Sequence, residues 1–420
     1  MDIMHLTTLN DPDLFLKLFT GKLNVYAPDN KSTWDWAIFY KNNALWNAHG
    51  ETVVRAVPFL PSSFGRAPRD PAKKLNTGYK AWEFQQYLYG LGPTLFRHLL
   101  PRKYWLNFCK LVAGVRILQR HSIELYYQRM ESRIHFVRQS VHLLTHIGPE
   151  TFRAGPLACY AQWTLETAIG NLGREIRQDR DIFANLTQRA IIRAQVNALC
   201  ARFPRIKFEV GGVSSQSNTR EFEEAIGYVF KPRCEEYPSP LTEDEFAALK
   251  IYWNRQGWPN RDSWPNAICR WAKLQLPNGQ MARSIWHESN ITVKLRRTSC
   301  VEIIHNNSTR IGNVQFYFCI RFGDTRHPLA MISLFSPPDA NILSDSSGTV
   351  YLCDPMTGPE GLLVVPVTSI LSVVSMFPDM HVTQDGHISE TGKFSLMRHA
   401  YIGLAPLSNG GLFDDDDDTV

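Results

Sequence analysis

GNVQFYFCIRF, residues 312–322, is the stretch that separates two structural classes within this chain. Its apolar side chains recur at every second position from Val314 to Phe322, with polar residues such as Gln315 between them. A period of two is typical of a β-strand that turns one face to a core. The period of two begins at about residue 286. After residues 312–322 come further apolar runs of strand length: LAMISLF, TVYLC and GLLVVPVTSILSVVSMF. Because turn residues separate them, they predict a small antiparallel sheet or barrel.

Upstream of this stretch the period changes to that of a helix. Three segments within 97–205 repeat apolar residues every three or four positions, which is typical of amphipathic helices. The sequence therefore predicts an α+β, multidomain protein, in which a helical bundle precedes a small antiparallel β-barrel-like domain. The predicted regions are 1–96 with Pro- and aromatic-rich segments, 97–205 as a basic helical domain, 206–285 as a linker and Trp-rich connector, 286–380 as the β-domain, and 381–420 as an irregular acidic tail.

Charge is distributed unevenly along the chain. The 420 residues carry a formal net charge of +5, yet residues 97–205 hold 17 Lys and Arg against 7 Asp and Glu. The tail contains five consecutive acids, Asp414 to Asp418. A basic middle and an acidic end predict a polyanionic partner, although an ordinary solvated surface has the same composition.

The cysteines and the apolar runs indicate the compartment. The eight cysteines are scattered without a C-x-x-C pair, which argues against a disulfide framework and a zinc knuckle and favours a reducing environment. Met1 is followed by Asp2 rather than by a basic and then an apolar stretch, so no signal peptide is predicted. The apolar run 361–377 is interrupted by Pro366 and reads as strands, so we expect no membrane partner.

The segment RIHFVRQSVHLLTHI, residues 133–147, predicts a helix with a polar stripe beside its apolar one. Histidines four residues apart can bind zinc, but no acid or cysteine stands at ligand spacing on that stripe. A basic groove that contacts phosphate oxygens and a plain solvated surface both remain open as explanations. The stripe consists of His135, Arg138, His142 and His146.

AQWTLETAIGNLGREIRQ, residues 161–178, is an unusual helical pattern. Its apolar stripe is accompanied by Gly170 and Gly173, each of which costs roughly 1 kcal/mol relative to alanine inside a helix. Glu166 stands beside these glycines, and three arginines follow: Arg174, Arg177 and Arg180. One explanation is a phosphodiester that approaches the glycine face, with arginines on phosphate and the carboxylate on a divalent metal. The other is tight helix–helix packing with Glu166 in a salt bridge.

Several long motifs in one order resemble transposases of the CACTA (En/Spm) superfamily, closest to copies in basidiomycete fungi. They are MDIMHLTTLNDPDLFLKLFTG, GYKAWEFQQYLYGLGPTLF, HFVRQSVHLLTHIGPETFRAGP, QWTLETAIGNLGREIR and WAKLQLPNGQMARSIW. The likeness covers roughly residues 1–380. The family's W-x-x-x-x-E-R-x-x-G-x-L-K-x-x-V-R block becomes Trp163, Glu166, Thr167, Gly170, Leu172, Gly173 and Arg177 here.

The resemblance implies an RNase H-like core in which three carboxylates hold two Mg²⁺ or Mn²⁺ ions for in-line attack on phosphorus. It implies that residues 1–96 are a remnant of that core and that the helical bundle is its insertion and carboxyl-terminal part. It also implies that Glu166 is the helical acid. The family's D-x-x-H signature matches Asp2 and His5, which assigns Asp2 to a strand end and, with Glu166, to the metal site. The family's upstream acidic strands have no counterpart in this chain, so we expect catalysis to be incomplete.

Two functions follow as expectations. The first is a nuclear, transposase-derived protein that binds duplex DNA at transposon ends, with other transposase subunits as partners. In this function the DNA is contacted by six basic side chains: Arg138, His142, His146, Arg174, Arg177 and Arg180. The second is a non-enzymatic interaction or chromatin-associated protein, in which the β-domain binds another protein and the basic helices are incidental. Steep salt dependence of binding distinguishes the first from the second.

Overall fold

The structure is a computed structural model, and it describes most of the chain. The described residues are 3–27, 29–75, 77–118, 143, 146–155, 161–163, 165, 166, 168–170, 181–203, 220–257, 266–291, 295–322 and 324–399. Their α-helices are α1 (Ile3–His5), α2 (Asp11–Phe19), α3 (Asn43–Ala56), α4 (Pro71–Lys74), α5 (Ala81–Phe84), α6 (Gly92–Leu95), α7 (Arg102–Leu118), α8 (Ile147–Ala154), α9 (Ile182–Arg202), α10 (Glu243–Arg255), α11 (Ile285–Ser289) and α12 (Ala340–Asp345). Two π-helical stretches, Leu6–Asn10 and Gln85–Leu91, continue α1 and α5.

Helices α2, α3, α6 and α7 surround one hydrophobic core, which we call the helical layer. Helix α3 begins where the Asn42 side chain accepts a hydrogen bond from the Leu45 N–H at 3.0 Å, which satisfies an otherwise unpaired donor of the first turn. Phe96 is completely buried, and its ring centroid lies 5.5 Å from that of Phe108 in α7. The predicted domain boundary after residue 96 therefore crosses a continuous core, because α7 contributes to it.

The strands of the described residues pair exclusively in the antiparallel sense. They are β1 (Arg220–Glu221), β2 (Val229–Cys234), β3 (Ser239–Pro240), β4 (Ala267–Ile268), β5 (Trp271–Gln275), β6 (Met281–Arg283), β7 (Cys300–His305), β8 (Ser308–Phe322), β9 (Thr325–Leu334), β10 (Leu352–Cys353), β11 (Leu362–Pro366), β12 (Ile370–Val373), β13 (Ser375–Val382) and β14 (Ile388–Met397). The large sheet has the order β1-β2-β5-β8-β7-β12, with β9 and then β11 beyond β8, and β6 on β5. It curls into a half-barrel, so the α+β class is confirmed.

Strand β8 lies at the centre of the large sheet and buries side chains on both faces. Phe316, Phe318 and Ile320 pack beneath α10, whereas Tyr317 is completely buried in the core on the opposite face. A β-bulge between Val314 and Phe316 moves Val314 to the Tyr317 face. The predicted strand is present, but its alternation changes face once, because a bulge adds a residue to one strand of the pair.

The large sheet begins at residue 220, inside the region predicted as a linker and connector. Strands β1, β2, β5 and β6 all come from 220–283 and join the same sheet as β8. Helix α10 covers that sheet and starts with a capping box. Thr242 accepts from the Glu245 N–H at 3.3 Å, and the Glu245 carboxylate accepts from the Thr242 N–H at 2.8 Å.

A separate sheet, β10-β14-β13, packs against the helical layer. Thr94 and Ser395 share a buried hydrogen bond of 2.6 Å, and Arg97 donates to the buried carboxylate of Asp379 at 2.6 Å. The sequence predicts irregular structure over 381–420. This prediction is wrong for 388–397, which form β14, because the pairing partner β13 stabilises a strand whose own sequence is largely polar.

In the described part of the amino-terminal region no strand of the kind found in an RNase H-like core is present. The described residues of 1–96 form helices, short helical turns and loops. His5 ends α1, so the residues directly after the D-x-x-H signature continue in a helix rather than leaving a strand. Asp2 itself lies outside the described residues. The RNase H-like assignment therefore stays a prediction. Within the described part of the chain, no helix is both long and apolar enough to cross a membrane.

Candidate nucleic-acid interface

The segment that carries Glu166 is attached to the helical layer at its beginning. The Trp163 ring lies 4.5 Å from the Trp82 ring between centroids, at an interplanar angle of 43°. Ala161 packs against a small cluster formed by the buried Leu6 and Ile147. These contacts place Ala161 beside Leu6 and Trp163 beside Trp82, a few residues before Glu166 in the chain.

Beyond Trp163 the segment faces solvent. Glu166 is helical and exposed, and its N–H donates to the Gln162 carbonyl at 2.9 Å. Leu165 and Ile169, which belong to the apolar stripe, are 55% and 53% exposed. They do not pack in a core, so the described part of the chain supplies no helix against this stripe.

The sequence predicts that a neighbour lies close to Gly170. A Cβ built on Gly170 meets no atom of the described residues within 4 Å. The space beside this glycine is therefore open within the described chain. The second glycine of the pattern, Gly173, lies outside the described residues.

Few of the predicted site residues fall in the described part. His146 is exposed and precedes α8, where its carbonyl accepts from the Glu150 N–H at 3.0 Å. His5 is half-buried and adjoins Leu6, whose cluster includes Ala161 five residues before Glu166. The remaining predicted site residues lie outside the described residues: Asp2, Arg138, His142, Arg174, Arg177 and Arg180.

A two-metal site cannot be assembled from the described donors. No group of three or more His, Cys, Asp or Glu residues is placed to hold a metal ion in the described ranges. Glu166 is the described member of the predicted Mg²⁺ or Mn²⁺ pair, and one exposed carboxylate does not fix two ions.

Helix α9 is the basic surface that the described chain does show. It runs over Ile182–Arg202, and its 21 residues contain no Asp or Glu. At a rise of about 1.5 Å per residue it is roughly 30 Å long. Most of its side chains are exposed, including Phe183 at 86%. A long exposed helix without acids is suited to a polyanion, because it adds no repulsion toward phosphate.

A polar strip runs along α9 at intervals of seven residues. It consists of Gln188, Gln195 and Arg202, all of which are exposed. Arg202 also lies over the Phe203 ring, 5.7 Å from its centroid. Because seven residues are nearly two helical turns, these side chains point in almost the same direction. Amide and guanidinium groups are the donors that contact base edges and phosphates in DNA grooves.

Two further arginines, Arg189 and Arg193, lie one turn apart on another side of α9 and are half-buried. The sequence predicts this segment as one helix of the bundle over 97–205, because apolar residues recur every three or four positions. The absence of acids over 21 residues is the signal that could have marked it as a binding surface.

Comparisons of the chain with protein-family models, with curated proteins and with solved structures give no match. A function for this chain must therefore be derived from its own residues.

Proposed function

We propose that the chain is a DNA-binding protein derived from a CACTA-type cut-and-paste transposon, without strand cleavage of its own. The observation that carries this proposal is α9, a long exposed helix with three arginines and no acid. The excess of Lys and Arg over residues 97–205 supports it as well.

Duplex DNA is the polyanion that fits a helix of this length. The major groove is wide enough to admit an α-helix. One phosphate charge occurs per about 1.7 Å of duplex axis, so a helix of roughly 30 Å passes many phosphates. The polar strip Gln188, Gln195 and Arg202 would face the bases or the backbone, and the exposed His146 is a further candidate contact.

The same proposal covers the residues that the structure does not describe. Arg138, His142, Arg174, Arg177 and Arg180 would extend the basic surface, and the bound DNA would be the transposon ends in the nucleus. Asp2, His5 and Glu166 would be remnants of a site for Mg²⁺ or Mn²⁺. Other transposase subunits would be partners of this chain, because one or two carboxylates do not hold two metal ions.

The test is a salt titration of binding to a fluorescein-labelled 30-base-pair duplex, followed by anisotropy. Replacing Arg189, Arg193 and Arg202 together by Ala should weaken binding and reduce the slope of log K against log salt by about 0.9 for each phosphate that the variant no longer neutralises. The matched control replaces Arg55, Arg66 and Arg321, which are exposed elsewhere. Equal affinity and slope for both triple variants would refute the assignment of α9.

One observation favours the second function, a protein-interaction role. Apolar residues on α9 are exposed beside the polar strip: Ile191 at 52%, Ile192 at 48% and Leu199 at 42%. Exposed apolar side chains in a contiguous patch are typical of protein interfaces. If protein contacts dominate, the salt slope should be close to zero, and Ile192→Ser should change the sedimentation behaviour of the chain without changing its DNA affinity.

A further inference from the structure

A groove lies on the large sheet, and none of its lining residues belongs to α9. It lies between the carboxyl end of α10, the edge strand β11 and the β7–β8 turn, and it has a volume of about 280 Å³. Its apolar wall includes Ile251, which is 52% exposed, and the half-buried Leu362 and Leu363. A cavity of roughly 150 Å³ accommodates benzene, so this groove, which is open to solvent, has room for about two apolar side chains.

Strand β11 presents a free edge to this groove. Among the described strands it pairs with β9 alone, through the register from Leu362↔Ser333 to Pro366↔Leu329. An edge strand exposes backbone N–H and C=O groups that an extended segment can pair with. The groove therefore offers both apolar space and backbone hydrogen bonds.

Arg255 and His305 line one end of the groove, and the charge of Arg310 acts on His305 from beside that end. Arg255 donates to His305 Nε2 at 3.2 Å, and burial together with the charges of Arg255 and Arg310 lowers the pKa of His305. No carboxylate of the described residues forms an ion pair with Arg255 or Arg310. This concentration of positive charge predicts an acidic occupant.

We propose that the groove is the docking site of the chain's own segment 412–418, LFDDDDD. Leu412 and Phe413 supply two apolar side chains for the groove. Asp414 to Asp418 follow directly and supply negative charges that can pair with the guanidinium groups of Arg255 and Arg310. The apolar residues of the segment would contact the apolar wall of the groove. The acidic residues that follow them would then lie at its cationic end. The proposal is independent of DNA binding by α9.

The last described residues lie near enough for this segment to reach. Arg398 donates to the Glu302 carboxylate at 2.7 Å, and Glu302 is in β7, three residues before His305 in the groove. Three strand residues span about 10 Å, and passing to the other face of the sheet adds about 10 Å. Residues 400–411 can extend to roughly 40 Å, so they bridge this distance with slack.

Photocrosslinking in the full-length chain tests the proposal. Phe413→p-benzoylphenylalanine keeps an aromatic side chain and crosslinks to whatever lies against it. After irradiation of dilute protein, mass spectrometry should locate the crosslinks in 251–256, 305–310 or 362–366. Crosslinks confined to other regions, including the basic helices, would overturn the proposal, as would crosslinks that form only between differently labelled copies of the chain.

Charge reversal tests the cationic end. Arg255→Glu with Arg310→Glu should lower the crosslinking yield in the groove at least fivefold. The matched control, Arg321→Glu with Arg326→Glu, reverses two exposed charges on the β8–β9 hairpin and should leave the yield unchanged. Equal yields in the two variants would overturn the proposal.

A third arm does not alter the folded residues of the groove. Replacing Asp414 to Asp418 by Asn in the crosslinking chain should lower the yield to the same extent as the Arg255 and Arg310 reversal. Raising the salt concentration to 1 M should lower the yield of the unsubstituted tail, because exposed charge pairs are screened. An unchanged yield in either measurement would show that charge does not hold the segment.

Discussion

His49 should make the helical layer sensitive to acid. It lies in α3, is completely buried, and stands 2.8 Å from the Tyr87 hydroxyl through Nε2. The rings of Trp46 and Phe96 stack on it, with centroids 5.9 and 4.8 Å away. Burial without a carboxylate partner lowers the pKa of His49 to about 3. The native state therefore holds this imidazole neutral over most of the acidic range.

The magnitude follows from linkage. In the unfolded chain the pKa of a histidine is about 6.5. Below that pH the unfolded state binds a proton that the native state does not, so the free energy of unfolding decreases as pH falls. Each pH unit between about 6.5 and 3 removes roughly 1.4 kcal/mol. Between pH 6.5 and 4.5 the contribution of His49 is therefore a loss of about 2.7 kcal/mol.

Urea unfolding at pH 7.5, 5.5 and 4.5, followed by tryptophan fluorescence, measures this effect in the wild type and in His49→Gln. Glutamine retains a hydrogen-bonding group for Tyr87 but does not titrate. The variant should be less stable at pH 7.5, yet it should lose about 2.7 kcal/mol less than the wild type on going to pH 4.5. The exposed His387→Gln is the matched control and should behave as the wild type does. Parallel pH dependence in the wild type and His49→Gln would refute the reasoning.

Three further substitutions test local packing. Asp379→Asn should cost about 3–5 kcal/mol, because it leaves the Arg97 guanidinium without the buried carboxylate 2.6 Å away. The exposed Asp385→Asn is its control by thermal denaturation, and similar melting temperatures would contradict the assignment. Gly312→Ala should cost about 1–3 kcal/mol, because its methyl group would lie against Ile332 Cγ2 and 2.9 Å from the Ser333 oxygen. In α7, a Cβ built on Gly114 has no described atom within 4 Å, so Gly114→Ala should stabilise the chain by about 0.5–1 kcal/mol. A decrease in its melting temperature would contradict the open space beside Gly114.

The period of apolar residues predicted local structure more reliably than it predicted packing. It identified β8 and α9 correctly as strand and helix. The bulge at Val314 depends on pairing with β9, and strand β14 depends on β13, so neither is encoded in its own segment. Helix α9 has the period of a buried helix, yet the structure leaves its apolar residues exposed. Periodicity reports that a face is apolar and does not report what covers it.

The sequence also predicted single residues of candidate sites better than it predicted their surroundings. The sequence marked Glu166 by its glycine and arginine neighbours, and the structure places it on an exposed helical segment. The groove between α10 and β11 had no sequence signal, because its residues come from three separate parts of the chain and meet only through the curl of the sheet. Arg255 and His305 are 50 residues apart, and no motif joins them.

Gly170 offers the most direct test of whether the Glu166 helix serves a partner. A glycine inside a helix costs roughly 1 kcal/mol relative to alanine, and here no described atom lies where a Cβ would stand. Gly170→Ala should therefore leave the melting temperature unchanged or raise it.

If DNA or another subunit approaches that face in the functional complex, the same methyl group should lower the affinity for duplex DNA at least tenfold. Gly114→Ala adds an equally unhindered methyl group to α7 and should leave the affinity unchanged. Anisotropy titrations at one salt concentration compare the two variants on proteins of verified stability. Full affinity in Gly170→Ala would mean that no ligand in that assay approaches the glycine, and the proposed role of the Glu166 face in DNA binding would then be wrong.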